Sequence, residues 1–224
     1  MTNQNMIKLL YNDEHIAVAV KPSGLLSEGD GKECFPTLLS EFLCENLGHS
    51  VNIFPVHRLD RATEGIMVYA LTKEAAANLS KQIIDGEWNK IYLALLTKSP
   101  EKDKDTLQDL LYYDKTKGKS FVVKKERKGV KNAVLSYTVE GSALDGKATA
   151  VRVALETGRT HQIRVQFASR KMPLVGDRRY GASSEFGNTL ALCATEISFK
   201  HPKTNTQMSF DIEPTFKYEK APKN

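Results

Sequence analysis

Apolar positions recur at two different spacings along this chain, and each change of spacing marks an element. Residues 14–20 (Glu-His-Ile-Ala-Val-Ala-Val) form a short apolar run ended by Lys21-Pro22-Ser23-Gly24. Proline and glycine impose a turn there, so a strand is predicted. Leu39, Phe42, Leu43 and Leu47 follow at helical spacing, with Thr37 as the predicted N-cap and Gly48 as the stop. Residues 65–71 are apolar without alternation, the pattern of a strand covered on both faces. Thr72 then caps a second predicted helix, with Ala75, Leu79 and Ile83 on one face and Gly86 just past its end.

Residues 90–96 predict another strand. From 98 to 118 the chain is charged and rich in turn formers, and reads as a surface excursion. Residues 121–123, 133–140 and 148–155 predict three strands, Thr160 opens a short helix bearing Ile163 and Phe167, and strands at 190–200 and 207–212 close the pattern. Many strands with few, unevenly placed helices predict the α+β class: a mixed, mainly antiparallel sheet with flanking helices, rather than a doubly wound fold. No repeat or low-complexity linker interrupts the 224 residues. They read as a single domain with its core at 11–213 and a flexible basic tail at 217–224.

Charge sharpens this picture through its distribution. The net +5 is modest, but residues 115–131 hold eight basic side chains, Lys124 and Lys125 among them, against the single acid Glu126. A second group comprises Arg159, Arg164, Arg170, Lys171, Arg178 and Arg179. Either group alone fits a solvated strand and loop. Together they favour contacts to phosphate. Cys34, Cys44 and Cys193 are odd in number and lack CxxC spacing, so they read as reduced thiols of a cytoplasmic protein. The first residues do not resemble a signal peptide, and no apolar run reaches the ~18 residues of a membrane span.

One carboxylate stands out. Val56-His57-Arg58-Leu59-Asp60-Arg61-Ala62-Thr63-Glu64-Gly65 places Asp60 between two arginines on a loop, just before an apolar strand. An Asp so flanked is more often a surface ion pair than a catalyst. Its position on a loop braced by two apolar elements is where reactive groups are commonly held. About a hundred residues later comes Thr157-Gly158-Arg159-Thr160-His161-Gln162-Ile163-Arg164.

Both segments resemble signature motifs of the RluA-type pseudouridine synthases, which isomerise uridine within RNA. His57-Arg58-Leu59-Asp60 with Thr63 and Gly65 is similar to the H-R-L-D-x-x-T-x-G signature, whose Asp is catalytic. Lys90-Ile91-Tyr92-Leu93-Ala94 resembles the K-x-Y-x-A strand, and Leu190-Ala191-Leu192-Cys193-Ala194 a pocket-lining segment. Lys21-Pro22-Ser23-Gly24 and residues 173–181 also match, and are taken as scaffold turns. The resemblance covers about residues 11–213. It implies the pseudouridine synthase catalytic fold with a central cleft. It also implies Asp60 as the catalytic carboxylate, Arg164 as its cationic partner, and Tyr92 as a base-stacking residue able to help remove the C5 proton. Leu192 would be an apolar wall and Arg58 a side chain that fills the space left by a flipped nucleotide. Lys124 and Lys125 would hold phosphates of an rRNA or tRNA stem-loop. No metal and no organic cofactor is implied, and neither DNA nor a membrane is an expected partner. A monomer is the default expectation.

The chain departs from the family pattern at Ala62, Glu64 and Gln166, where Asp, Ser and His are common. Only about ten residues precede the first matching segment, so no S4-like RNA-binding domain is expected there. Two other classes compete. A catalytically silent RNA-binding module would not need Asp60. A hydrolase using an Asp nucleophile or a His57/His161 metal pair lacks the usual i, i+4 ligand spacing.

Overall fold

In a computed structural model that describes residues 7–221, the chain is rich in strands. In order run β1 (Lys8–Asn12), β2 (Ile16–Lys21), α1 (Phe35–Leu47), β3 (Phe54–Pro55), β4 (Glu64–Ala70), α2 (Lys73–Ile84), β5 (Asn89–Leu96) and β6 (Lys104–Asp114). Then come β7 (Lys119–Val123), β8 (Val130–Ala143), β9 (Ala148–Leu155), α3 (Gln162–Ser169), β10 (Leu192–Lys200), β11 (Gln207–Asp211) and β12 (Glu219–Lys220). This is the α+β architecture predicted from the strand spacing. The chain divides into two compact units: residues up to Lys90 with Ala194–Glu213, and Ile91–Cys193 with the segment from Pro214 onward. The division falls inside β5 and inside β10.

In the first unit β2 pairs antiparallel with β1 on one side and β4 on the other, with Ile16 opposite Ala70 and Lys21 opposite Gly65. Side chains alternate across the pleat, so one face carries Ile16, Val18, Ile66 and Val68 against Ala75 and Leu79 of α2. The other face buries Ala17, Ala19, Met67 and Tyr69, with Phe35 of α1 packed near the Tyr69 ring. Covering on both faces explains why β4 reads as a continuous apolar run. Thr72 caps α2 as predicted, its hydroxyl accepting from the Ala75 N–H. The start of α1 differs from the prediction. Cys34 is the cap residue, Pro36 sits in the first turn, and the Thr37 hydroxyl accepts from Gly31 N–H instead.

Gly65 has φ +132°, and a Cβ there would lie 2.5 Å from the backbone N and O of Ala194. The glycine that closes the Asp60 motif is therefore required by close strand approach. Gly65→Ala is expected to lose about 2–4 kcal/mol in urea unfolding, from combined backbone strain and contact with rigid main chain. An unchanged unfolding midpoint would contradict that packing.

In the second unit the strands pair antiparallel in the order β5, β9, β8, β6, β7. The excursion expected over 98–118 is instead largely β6, an eleven-residue strand. Its covered face carries Leu107 and Leu111 but also Asp109, whose carboxylate is held by Gln166 and Arg170. Paired acids on the inward face hid the period of two. Val165 of α3, with Tyr180, packs on Leu111 and Ala133. α3 begins at Gln162, later than expected, because the Thr160 carbonyl accepts the Ser120 hydroxyl and His161 adopts φ 55°. Part of the expected mobile tail is ordered: Glu219 and Lys220 pair with Ser142 and Gly141, against a glycine that leaves room for the Glu219 carbonyl. Residues 222–224 lie outside the described chain.

No helix among the described residues is long and apolar enough to cross a membrane.

Candidate active site

The Asp60 loop is built by hydrogen bonds to the turn that follows β2. Ser27 clamps Leu59 from both sides, donating to its carbonyl at 2.9 Å and accepting its N–H at 3.2 Å. Ser23 donates to the Ala62 carbonyl, Gly24 N–H donates to the Arg61 carbonyl, and Arg61 Nε donates back to Gly24. Within the loop Thr63 N–H closes a turn onto the Asp60 carbonyl at 3.0 Å. The Lys-Pro-Ser-Gly segment is thus the brace of the Asp60 motif, and fixing the loop on both sides fixes where a carboxylate at Asp60 points.

Lys21 is the residue sequence reasoning missed. Its side chain is fully buried, and Nζ donates to the carbonyls of Pro22, Leu25 and Arg61 at 2.8, 2.9 and 3.4 Å. Burial pushes its pKa down to about 8, against the opposing pull of Asp60 and Glu64. A lysine ending an apolar strand ahead of proline looked like a turn residue. In the fold it is a buried cation that feels the negative charges of Asp60 and Glu64.

The sign of the pH effect follows. An unfolded lysine keeps its proton up to about pH 10.4. The folded Lys21 releases its proton near pH 8, so between those values the unfolded chain binds more protons and this group's contribution favours folding increasingly as pH rises. The melting temperature of wild type minus that of Lys21→Met is expected to grow across that window. A difference that stays flat from pH 7 to 10 would contradict the assignment.

His57 is half-buried, and its Nε2 accepts the Val68 N–H at 2.9 Å. Burial, aided by the charge of Lys90, holds its pKa well below the usual imidazole range. It is a neutral acceptor that ties the start of the loop to β4. Arg58 is exposed and paired with Glu28 at 2.9 Å. A solvent-exposed pair of this kind is worth little and releases easily.

Tyr92 lies on β5, buried, opposite Val153 of β9. Leu192 opens β10 and is buried. Arg164 sits on α3 and is 6% exposed. Asp177 holds its guanidinium by two parallel bonds, Nε to Oδ2 at 2.7 Å and Nη2 to Oδ1 at 2.8 Å. The Tyr180 ring centroid lies 5.1 Å from the same guanidinium. The Tyr180 hydroxyl is fixed by Ser120 and His161. The loop before α3 is pinned by Gln162, whose side-chain oxygen accepts from Thr157 and Arg159 while its amide donates to Val134. A bidentate carboxylate and an aromatic face leave Arg164 one orientation. Gln166 is fully buried and bonded to Leu107 and Asp109, so it anchors α3 to β6.

Lys124 and Lys125 lie exposed in the turn between β7 and β8. Asp60 and Arg58 belong to the first unit, and Tyr92, Arg164, Leu192, Lys124 and Lys125 to the second. Asp177 was also missed: in Gly-Asp-Arg-Arg it reads as one acid among surface arginines, and only the fold aims it at Arg164.

Known proteins resemble this chain in sequence and fold. The sequence profile of the family described as RNA pseudouridylate synthase matches residues 15–169. An uncharacterized RNA pseudouridine synthase of Aquifex aeolicus is 34% identical over 92% of this chain and 69% of its own length. The dual-specificity RNA pseudouridine synthase RluA of Yersinia pestis is 34% identical over 93% of this chain and 99% of its own length. Among solved structures, human RNA Pseudouridylate Synthase Domain Containing 1 superposes with TM-score 0.76 at 22% identity, covering 96% of this chain and 86% of its own.

Proposed function

This chain belongs to the RNA pseudouridylate synthase family and is an isomerase of RNA uridine, and on that premise we propose how its own residues carry the reaction. The N1–C1′ bond of a uridine breaks, the base turns, C5 joins C1′, the C5 hydrogen leaves as a proton, and N1 takes up a proton. Atoms and electrons balance within the nucleotide, so the reaction asks for no redox partner and no donated group.

Asp60 is the catalytic carboxylate. It acts by adding to base or sugar, by removing a sugar proton, or by stabilising positive charge at C1′. The observation that carries this reading is the loop around it, stitched to the following turn on both sides with the buried Lys21 ammonium electrostatically coupled to the Asp60 carboxylate. Arg164, preset by Asp177, is the proposed partner of Asp60. Tyr92 stacks on the target base and assists at C5, and Leu192 keeps water from a reactive sugar. Arg58 leaves Glu28 to occupy the space of the flipped nucleotide. The substrate is a stem-loop of ribosomal or transfer RNA, the chain works as a monomer in the cytoplasm, and it needs no metal.

Nucleoside analysis of RNA digested after incubation with the protein tests this. New pseudouridine with an equal loss of uridine, undiminished by EDTA, is the expected result. No conversion in either RNA pool, or conversion abolished by chelation and restored by a divalent metal, would overturn it.

A further inference from the structure

The unit that carries Tyr92 and Arg164 has a second surface that the chemistry does not use. In β6 and β7 the register places Tyr112 opposite Phe121 and Leu110 opposite Val123. Their neighbours Leu111 and Val122 point the other way, under Val165 and Ala168 of α3. Alternation therefore turns Tyr112 and Phe121 to the sheet face that α3 does not cover, where both are half-exposed. Cations gather on these rings. The Arg127 guanidinium lies 4.7 Å from the Tyr112 centroid, and the Lys117 ammonium lies 5.6 Å from that of Phe121, while Lys119 leans on the Tyr180 ring at 4.7 Å and donates to the Arg179 carbonyl.

We propose that this face binds a single-stranded stretch of the RNA substrate outside the target uridine. Bases would stack on Phe121 and on the Arg127–Tyr112 layer, and the lysines of the hairpin would hold phosphates. The argument for this occupant is complementarity. Residues 115–131 carry eight basic side chains and one acid. Among the described residues, none of Lys124, Lys125, Arg127 and Lys128 forms an ion pair with a carboxylate. Aromatic rings interleaved with unneutralised cations are the elements of single-strand recognition: rings and guanidinium planes accept any base, and ammonium groups track the backbone. A duplex keeps its bases stacked and would gain only the phosphate contacts.

The proposal rests on the chain's acting on RNA, not on the roles given to Asp60, Tyr92 or Arg164. It is tested by fluorescence anisotropy with a short labelled oligouridine and with a fully paired RNA of similar length. Phe121→Ala and Arg127→Ala should each weaken oligouridine binding by roughly tenfold, the scale of one lost stacking partner; Phe121→Ala should leave duplex binding unchanged, and Arg127→Ala should lower it only by the smaller effect of one lost charge. Phe121→Tyr should bind as wild type. Lys124→Glu with Lys125→Glu should weaken both RNAs and lower the salt dependence. Arg127→Ala, on an exposed turn, serves as the check should Phe121→Ala unfold. If folded Phe121→Ala and Arg127→Ala both bind oligouridine as wild type does, or lose duplex equally, the surface is not a stacking site. Pseudouridine formation is scored separately. Its absence alongside Phe121-dependent binding would sink the isomerase reading and leave this surface standing.

Discussion

Asp60→Asn is expected to fold and bind RNA as wild type does while pseudouridine formation falls by at least ~10³-fold, the scale seen when a group acting directly on the reacting atoms is removed. The loop predicts the first half of that result. Its hydrogen bonds run through the main chain of Leu59, Asp60, Arg61 and Ala62 and through Ser23, Ser27 and Arg61. An isosteric amide at residue 60 leaves them in place. The charge change predicts the second half, because an amide neither adds covalently nor balances positive charge at C1′. Melting curves and RNA affinity of the variant check the scaffold. A variant that unfolds, or that loses RNA binding as steeply as turnover, would mean Asp60 serves the fold.

Asp177→Ala should have the largest effect on stability, about 3–5 kcal/mol, since it strands a buried guanidinium without its bidentate partner. Asp177 is fully enclosed at the side chain and Arg164 nearly so, at 0% and 8% exposure. No solvent is at hand to replace the lost carboxylate. Asp177→Asn keeps the shape and one acceptor oxygen, and should recover part of the loss. Turnover separates a positioning role from a purely structural one. Measured below its melting temperature, Asp177→Asn should show a reduced kcat with RNA affinity near wild type, because Arg164 is no longer held in one orientation. Wild-type melting of Asp177→Ala would contradict the buried pair, and an unchanged kcat in Asp177→Asn would remove the positioning role.

Much of this molecule is legible in its sequence where local chemistry and tertiary packing agree. The Thr72 cap, the Gly48 and Gly86 stops and the unalternating run of β4 each follow from nearby residues, and each is found. Legibility fails where a distant partner reverses a local signal. β6 looked like a charged loop because Asp109 faces inward, and Asp109 tolerates that only through Gln166 and Arg170, some sixty residues away in sequence. Glu219 and Lys220 looked like a free tail, yet they find a strand edge opened by Gly141. The same holds for the site. Asp60, Tyr92 and Arg164 sit in recognisable motifs, so they were candidates from the outset. Lys21 and Asp177 were not, because a lysine before proline and an acid before two arginines have ordinary surface roles. Only their complete burial separates them from those roles.

The central claim, that Asp60 drives isomerisation of uridine in RNA, is tested most directly by tritium release. Bulk ribosomal and transfer RNA labelled at C5 of uridine would be incubated with wild type and with Asp60→Asn. Joining C5 to C1′ expels the C5 hydrogen, so counts in solvent report the reaction without knowledge of the target site. The account predicts release by wild type from at least one RNA pool and none above background from Asp60→Asn. Equal release by the two proteins would contradict the role of Asp60, and no release by wild type from either pool would contradict the reaction itself.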